Sequence, residues 1–230
     1  MTDLPEELFL NPAWHALHTK HRRFALETGA ACRYPAAVAP IAAVAEPCQQ
    51  ALRDLHSLLA PGESVWIAGE SFPPVPELRF EQALPCLQMV LSGEVTLPES
   101  TVEMTRLSDA NSAEMVALTD IAFPGFFRPR TCEMGTYYGV RVEGELIAMG
   151  GERLMLDGYP EISGICTHPA HRGKGYAANL IGQLARNHRR AGLVSWLHVV
   201  SANQHAIELY LRLGFRTARE ITLHRVSPAG

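Results

Sequence analysis

The sequence predicts a mixed α/β (α+β) protein, and three observations carry that expectation. Residues 161–167 have strand character, because Ile162, Ile165, Cys166 and Thr167 suit a pleated, buried surface. Pro169 ends the ladder, and Arg172-Gly173-Lys174-Gly175 leads straight into a helix over 176–190. In that helix Ala177, Leu180, Ile181, Leu184, Ala185 and His188 keep to one stripe. Upstream, 137–142 and 146–155 form a hairpin turned by Glu143-Gly144-Glu145.

From the N-terminus, the spacing predicts a helix over 11–28, with Asn11 as N-cap, Pro12 at the first position and Gly29 to end it. Trp14, Leu17, Phe24 and Ala25 form its core stripe. His15, His18 and His21 recur every third residue, but that spacing drifts around a helix and no carboxylate or cysteine joins them; a solvated face is expected and no metal site. An extended run over 38–45 precedes a helix opened by Pro47, with Leu52, Leu55, Leu58 and Leu59 at helical spacing. Strands follow at 64–68 and 84–91, the second bulged at Pro85, with the stiff loop Pro73-Pro74-Val75-Pro76 between them. This half carries no chemical motif. Its strand–helix–strand order reads either as a degenerate copy of the C-terminal half or as a subdomain that shapes one side of a site.

Leu97-Pro98-Glu99-Ser100 marks a boundary, giving an N-terminal subdomain at 1–98 and a second domain at 99–230. A strand over 102–107 leads to Ser108, which caps a helix over 109–122. The segment 123–131 is irregular, aromatic and basic. After the main helix, closed by Gly192, the apolar run 193–200 reads as a central strand. Asn203 opens the last helix, Gly214 ends it, and 215–226 supplies the closing strands.

Composition excludes several classes. The 230 residues are 47% hydrophobic and 19% charged, with a net charge of −4, as in a soluble globular protein. That balance does not suit nucleic-acid binding, which relies on neutralising phosphates. Five scattered cysteines without a C-x-x-C pair fit a reducing, cytoplasmic setting. Asp3, Glu6 and Glu7 stand where a signal peptide has its basic region, and the most apolar run, 36–45, is broken by Pro40 and too short to span a membrane.

The chemistry concentrates between the strand at 161–167 and its helix. Glycines there let the backbone approach a ligand, the N–H groups of a helix's first turn lack internal partners, and Arg172 and Lys174 add positive charge: an anion cradle. Gly173-Lys174-Gly175-Tyr176-Ala177-Ala178 also satisfies G-x-G-x-x-A, but the next strand carries no ribose-binding carboxylate, and no Gly-Lys-Ser or Gly-Lys-Thr makes a P-loop. Arg172-Gly173-Lys174-Gly175-Tyr176-Ala177 does match Arg-x-x-Gly-x-Ala, and 203–215 matches Asn-x-x-Ala-x-x-x-Tyr-x-x-x-Gly-Phe. On these two motifs, in this order, the last 130 or so residues resemble the GNAT superfamily of N-acetyltransferases, most closely the branch of the C-terminal domain of glycine N-acyltransferases.

The resemblance implies a GNAT fold, with a central mixed, mostly antiparallel sheet flanked by helices. It also implies transfer of acetyl from acetyl-CoA to a primary amine of a small molecule or amino acid, within a ternary complex and without metal. Carried over by position, the pyrophosphate sits over Arg172, Gly173, Lys174, Gly175, Tyr176 and Ala177. The pantetheine arm runs along Ile165, Cys166 and Thr167, in a slot left by a diverging neighbour strand, and meets Asn203 and Ala206. Tyr210 matches the general acid; the alternative is a core aromatic beside Ala206, Ile207 and Leu213. Glu161, eleven positions before Arg172, matches the catalytic glutamate of the histone-acetylating branch, and strand alternation would set it on one face with Ser163, Ile165 and Thr167. Its alternative is a solvated strand end, with the proton leaving through water. Phe126, Phe127, Arg128 and Arg130 fall where the family lines the acceptor pocket, or else their loop tucks its aromatics into the core. Cys166 reads as a small core thiol rather than a nucleophile, and His168 and His171 as surface histidines near the phosphate. A non-catalytic acyl-CoA sensor on the same fold is the competing function.

Overall fold

The computed structural model describes residues 5–93, 95–97 and 99–229. Its centre is an eight-stranded sheet built from β4 (Val65–Ala68), β5 (Leu78–Leu91), β6 (Thr105–Leu107), β7 (Tyr137–Val142), β8 (Glu145–Leu156), β9 (Tyr159–Thr167), β10 (Trp196–Val200) and β11 (Phe215–Pro228). The spatial order is β4-β11-β5-β10-β9-β8-β7-β6. Only β9 and β10 pair in parallel; the other neighbours are antiparallel. The expected boundary at Pro98 and the acidic Asp3 lie outside the described residues. Strands on both sides of that boundary share this sheet, since β5 pairs with β10 and β11.

β5 is longer than its apolar run, and Pro85 sits inside it opposite Thr222 of β11. The position tolerates proline because β10 reaches only Cys86 on its other flank, so the missing N–H has no acceptor to fail. The hairpin β7–β8 turns where expected, with Glu143 and Gly144 both left-handed (φ 52° and 87°) as a two-residue turn requires.

On one face of the sheet lie α5 (Tyr176–Arg190) and α6 (Gln204–Arg212), whose Ile181, Leu184 and Ile207 pack on Ile162, Leu197 and Val199. The other face is covered by α1 (Glu6–Leu10), α2 (Pro12–His18) and a small sheet of β1 (Leu26–Thr28), β2 (Ala31–Arg33) and β3 (Ala42–Val44). α3 (Gln49–Ser57) backs that small sheet, and α4 (Ser112–Ala122) packs Met115 and Leu118 against Tyr137 and Met149. A short 3₁₀ turn, Asp109–Asn111, precedes α4, with Ser108 and Asn111 forming a capping box.

The single helix expected over 11–28 is corrected. α2 stops at His18, a 3₁₀ turn spans Arg22–Phe24, and the chain then enters β1. The cause is non-local: the imidazole of His21, 3% exposed, is held between the Tyr34 hydroxyl (2.9 Å) and the Met134 carbonyl (3.0 Å). Burial pushes the His21 pKa down to about 4, so the ring is neutral at pH 7. Among the described residues no three His, Cys, Asp or Glu side chains group as metal ligands. No described helix is long and apolar enough to cross a membrane.

Candidate active site

β9 and β10 share one register pair, Trp196 with Glu161, while β10 runs from there along Cys86–Val90 of β5. Past that pair no further register pair joins the two parallel strands, whose C-terminal ends are where open α/β sheets place ligands. β9 also bulges. Cys166 faces Met149 and Ser163 faces Gly151, so Gly164 and Ile165 together oppose Gly150. Gly164 takes φ 65°, a left-handed value that suits glycine. The extra residue resets the alternation: Ile162 and Ile165 both pack toward α5. Ile165 therefore does not share a face with Glu161, which corrects the expected pattern. The bulge also releases backbone polar groups from the ladder beside this unpaired stretch.

β9 runs into a 3₁₀ turn, Pro169–His171, and then the glycine turn. Gly173 and Gly175 are left-handed (φ 79° and 78°), and a Cβ at Gly173 would meet nothing within 4 Å. Residues 172–175 are exposed, and the fifteen-residue α5 begins without a side-chain cap on its first turn. The turn is pinned from below: the Asn179 amide donates to the Gly175 carbonyl at 3.0 Å while its oxygen accepts from the Thr101 N–H at 2.8 Å. This is an open row of N–H donors at the positive end of a helix dipole. His171, beside it, keeps a buried Nδ1 with no hydrogen-bond partner among the described residues.

Asn203 caps α6, its side-chain oxygen accepting the Ala206 N–H at 3.2 Å. Tyr210, one turn further, packs its ring 5.8 Å from Phe215. Burial, with a contribution from the Glu161 charge, pushes its phenol up to about 12, and its hydroxyl has no hydrogen-bond partner among the described residues. Cys166 is buried, which pushes its thiol up to about 12 and leaves it a poor nucleophile.

Glu161 is not a solvated strand end. It is 0% exposed and accepts from Arg153 Nε (2.9 Å) and Nη2 (2.6 Å), from the Leu154 N–H (3.0 Å) and from His198 Nδ1 (2.7 Å). A second bulge makes this possible. Glu152 faces Ile162 and Met155 faces Pro160, so Arg153 and Leu154 both stand opposite Glu161. Burial alone would raise the Glu161 pKa, but the Arg153 charge and the His198 hydrogen bond outweigh it and hold the carboxyl well below the usual carboxylate range. Gln88 completes the cluster: its amide donates to the Phe9 carbonyl (2.9 Å) and meets His198 Nε2 at 3.1 Å. That contact assigns His198 Nε2 as acceptor and Nδ1 as the N–H that donates to Glu161.

Arg153 and His198 form the polar floor of a small cavity of about 30 Å³. Its walls come from both halves of the chain: Ile41 beside β3, Trp66 of β4, Leu223 of β11 and Phe126 of the 123–131 segment. Trp66 and Phe126 stack, with centroids 5.5 Å apart and planes at 21°. The segment is clipped to the N-terminal half, with Arg130 N–H donating to Ala37 and the Thr131 hydroxyl to Val38. Of its four expected acceptor residues, only Phe126 lines the cavity. Phe127 turns into the core against Tyr137 (5.6 Å), Arg130 pairs with Glu133 on the surface (2.6 Å), and Arg128 is half-buried away from the cavity lining.

The motifs did not point to Arg153, His198, Gln88 or Trp66. A signal existed for two of them. Gln88 and His198 are the polar side chains inside otherwise apolar strand runs, and buried polar groups need partners.

The profile of the acetyltransferase (GNAT) family matches residues 105–215. A solved GNAT-family structure from Novosphingobium aromaticivorans is 32% identical, covering 96% of this chain and 99% of its own, with a TM-score of 0.87. The chain belongs to the GNAT family. Two more distant structures share the fold over its whole length. A GCN5-related N-acetyltransferase from Kribbella flavida covers 100% of this chain and 97% of its own (18% identity, TM-score 0.64). A GCN5-related N-acetyltransferase-like protein from Streptococcus suis covers 98% and 95% (12%, 0.63). No curated protein matches. Membership in the GNAT family implies acyl transfer from acetyl-CoA. The uncapped, glycine-backed first turn of α5 and the β9 edge that leads into it fit such a donor, which carries a pyrophosphate at one end and a thin arm at the other.

Proposed function

We propose that this GNAT protein transfers the acetyl group of acetyl-CoA directly to a primary amine of a small molecule or amino acid within a ternary complex. One observation carries the reading: β9, which shares no register pair with β10 past Glu161 and Trp196, leads into an exposed glycine turn and the uncapped first turn of α5. The N–H groups at 173–177 hold the pyrophosphate, the Arg172 N–H being given to the Pro169 carbonyl; Arg172 and Lys174 add charge, and 165–167 with Asn203 and Ala206 guide the arm. Phe126 touches the acceptor, while Phe127 and Arg130 hold the segment in shape. The catalytic residues belong to 99–230, of the branch resembling the C-terminal domain of glycine N-acyltransferases, while 1–98 supplies β4 and β5 to the shared sheet and closes the acceptor side. The free thiols of all five cysteines support a cytoplasmic setting.

The amine nitrogen attacks the thioester carbon, the carbon–sulfur bond breaks, and Tyr210 gives its proton to the departing sulfur and regains one from water. A phenol raised to about 12 is still protonated at pH 7 and available for that role. The proton lost by the amine leaves through water. Glu161 is a positioning residue: a carboxylate stabilised by Arg153 and His198 has little tendency to accept a proton.

Tyr210→Phe tests this. A thiolate leaves fairly readily, so kcat should fall about a hundredfold, at the low end for general acid catalysis, with acetyl-CoA affinity unchanged. A wild-type protein that binds acetyl-CoA yet releases no thiol with any amine or amino acid is a binding module, and the proposal fails.

A further inference from the structure

We infer that Tyr137 is a further catalytic residue of the acetyl transfer, its hydroxyl donating a hydrogen bond to the thioester carbonyl oxygen as that oxygen gains negative charge. This deepens the acetyltransferase reading and rests on it. Tyr137 opens β7, and its side chain crosses the face of the sheet. It stands opposite Gly151 of β8, where any Cβ would collide with its ring. Its Cε1 and hydroxyl oxygen lie 3.3 and 3.9 Å from where a Cβ on Gly164 of β9 would be. Two glycines thus form the track by which the side chain reaches from β7, over β8, to the bulge in β9.

The hydroxyl at the end of that track has no hydrogen-bond partner among the described residues, although Tyr137 is only 1% exposed. An unpaired buried hydroxyl costs about 1–3 kcal/mol, so for packing alone phenylalanine would serve at least as well. The surroundings are apolar: Phe127 meets the ring edge-on at 5.6 Å, and Met149 and Cys166 share the cluster. Burial lifts the phenol well above its ordinary range, so the group keeps its proton and acts as a donor at working pH. A fixed donor in such a place stabilises a developing charge far more than one in water.

Position ties this hydroxyl to the acyl donor. β9 runs from Gly164 through 165–167 toward the glycine turn, so an arm held by its pyrophosphate at the turn and lying back along the strand arrives at the bulge. Thr167 and Gly164 are about 10 Å apart at the rise of a strand. Residues 163–165 are half-buried, which gives the acyl end access from the edge of β9 that β10 leaves unpaired. The atoms nearest the place of a Gly164 Cβ are the two of Tyr137 and Cε2 of Phe127 at 3.9 Å, so glycine keeps the approach to the hydroxyl clear. When the amine nitrogen attacks, the carbonyl electron pair moves onto oxygen. Tyr137 donates to that oxygen without losing its proton, and the pair returns as the carbon–sulfur bond breaks.

The test is Tyr137→Phe in the full-length protein, a change that removes only the hydroxyl. With acetyl-CoA and the amine or amino acid that the wild type uses best, kcat should fall about a hundredfold, the scale of one lost oxyanion donor, while the KM for acetyl-CoA stays as in the wild type. Chemical denaturation should find the variant at least as stable as the wild type. Infrared spectra of bound acetyl-CoA, carbon-13-labelled at the acetyl carbonyl, give a readout that needs no acceptor. The carbonyl stretch should lie below that of free acetyl-CoA in the wild type and move back toward it in the variant. Equal kcat and an equal stretch in the two proteins would overturn the inference and leave the acetyltransferase reading standing. A fall in kcat with lost stability and an unchanged stretch would also overturn it, since that is a packing role. A wild type that binds acetyl-CoA but releases no thiol with any amine overturns the acetyltransferase reading, and this inference with it.

Discussion

Glu152 and Arg153 are neighbours on β8, yet each anchors a different buried ionic cluster. Glu152 points toward α5, where His188 Nε2 meets its carboxylate at 2.9 Å, His188 Nδ1 meets the Ser195 hydroxyl at 2.8 Å, and the Thr136 N–H donates at 2.8 Å. This Ser–His–Glu chain has the composition of a hydrolytic triad, but Ser195 and His188 are only 2% and 3% exposed. It ties the last turns of α5 to the start of β10. Arg153 points to the opposite face, where its pair with Glu161 is just as buried but ends in unused donors at a cavity. Both clusters bury ionisable groups, and in both the partners outweigh burial and keep the carboxyl below the usual range. Neither property separates them. The difference is a leftover donor with open space in front of it.

The largest effect should come from the open cluster. Glu161→Ala leaves the Arg153 guanidinium buried without its counter-charge, and chemical denaturation should show a loss of about 3–5 kcal/mol. A loss under ~1 kcal/mol would mean that the pair is not the anchor described here. Next is a pH effect from His21, adjacent to this region. Its folded pKa of about 4 lies below the ordinary 6.5, so the unfolded chain binds the proton more readily between those values. Stability should be full above 6.5 and fall as the pH drops toward 4, by up to roughly 3 kcal/mol. Replacing His21 with glutamine should flatten that part of the profile. The smallest effect belongs to the sealed cluster: Ser195→Ala leaves one His188 nitrogen unsatisfied, costing about 1–2 kcal/mol in denaturation. Its kcat/KM should match the wild type; a clear drop would show that the sealed cluster reaches the reaction.

What the sequence disclosed follows the same division between local and distant. The strand, glycine turn and helix from 161 to 190 were legible because each signal is local: a proline that stops the ladder, glycines that open the turn, a 3.6-residue stripe. The α5 bounds match the expectation residue for residue, and the caps at Ser108 and Asn203 stand where expected. The helix expected over 11–28 failed because His21 answers to Tyr34 and Met134, far away in sequence. The face of Ile165 was missed because a bulge at Gly164 resets alternation, and a glycine in a strand marks such a bulge only loosely. The partnership of Arg153 with Glu161 was hidden for the same reason, since it needs the two-against-one register of β8 and β9. The cavity was the least legible feature, because Ile41, Trp66, Phe126 and His198 converge only when the sheet and its cover are assembled.

The central claim is that the glycine turn at 172–177 holds the diphosphate of acetyl-CoA. Calorimetric titration of acetyl-CoA into the wild type and into Gly175→Val tests it most directly. Gly175 has φ 78°, which a β-branched residue adopts only under strain, and a wider turn would draw the N–H groups away from the ligand. The wild type should give saturable heat at one site, and a folded Gly175→Val an affinity more than tenfold weaker. No heat with the wild type, or equal affinity for the two proteins, would contradict it.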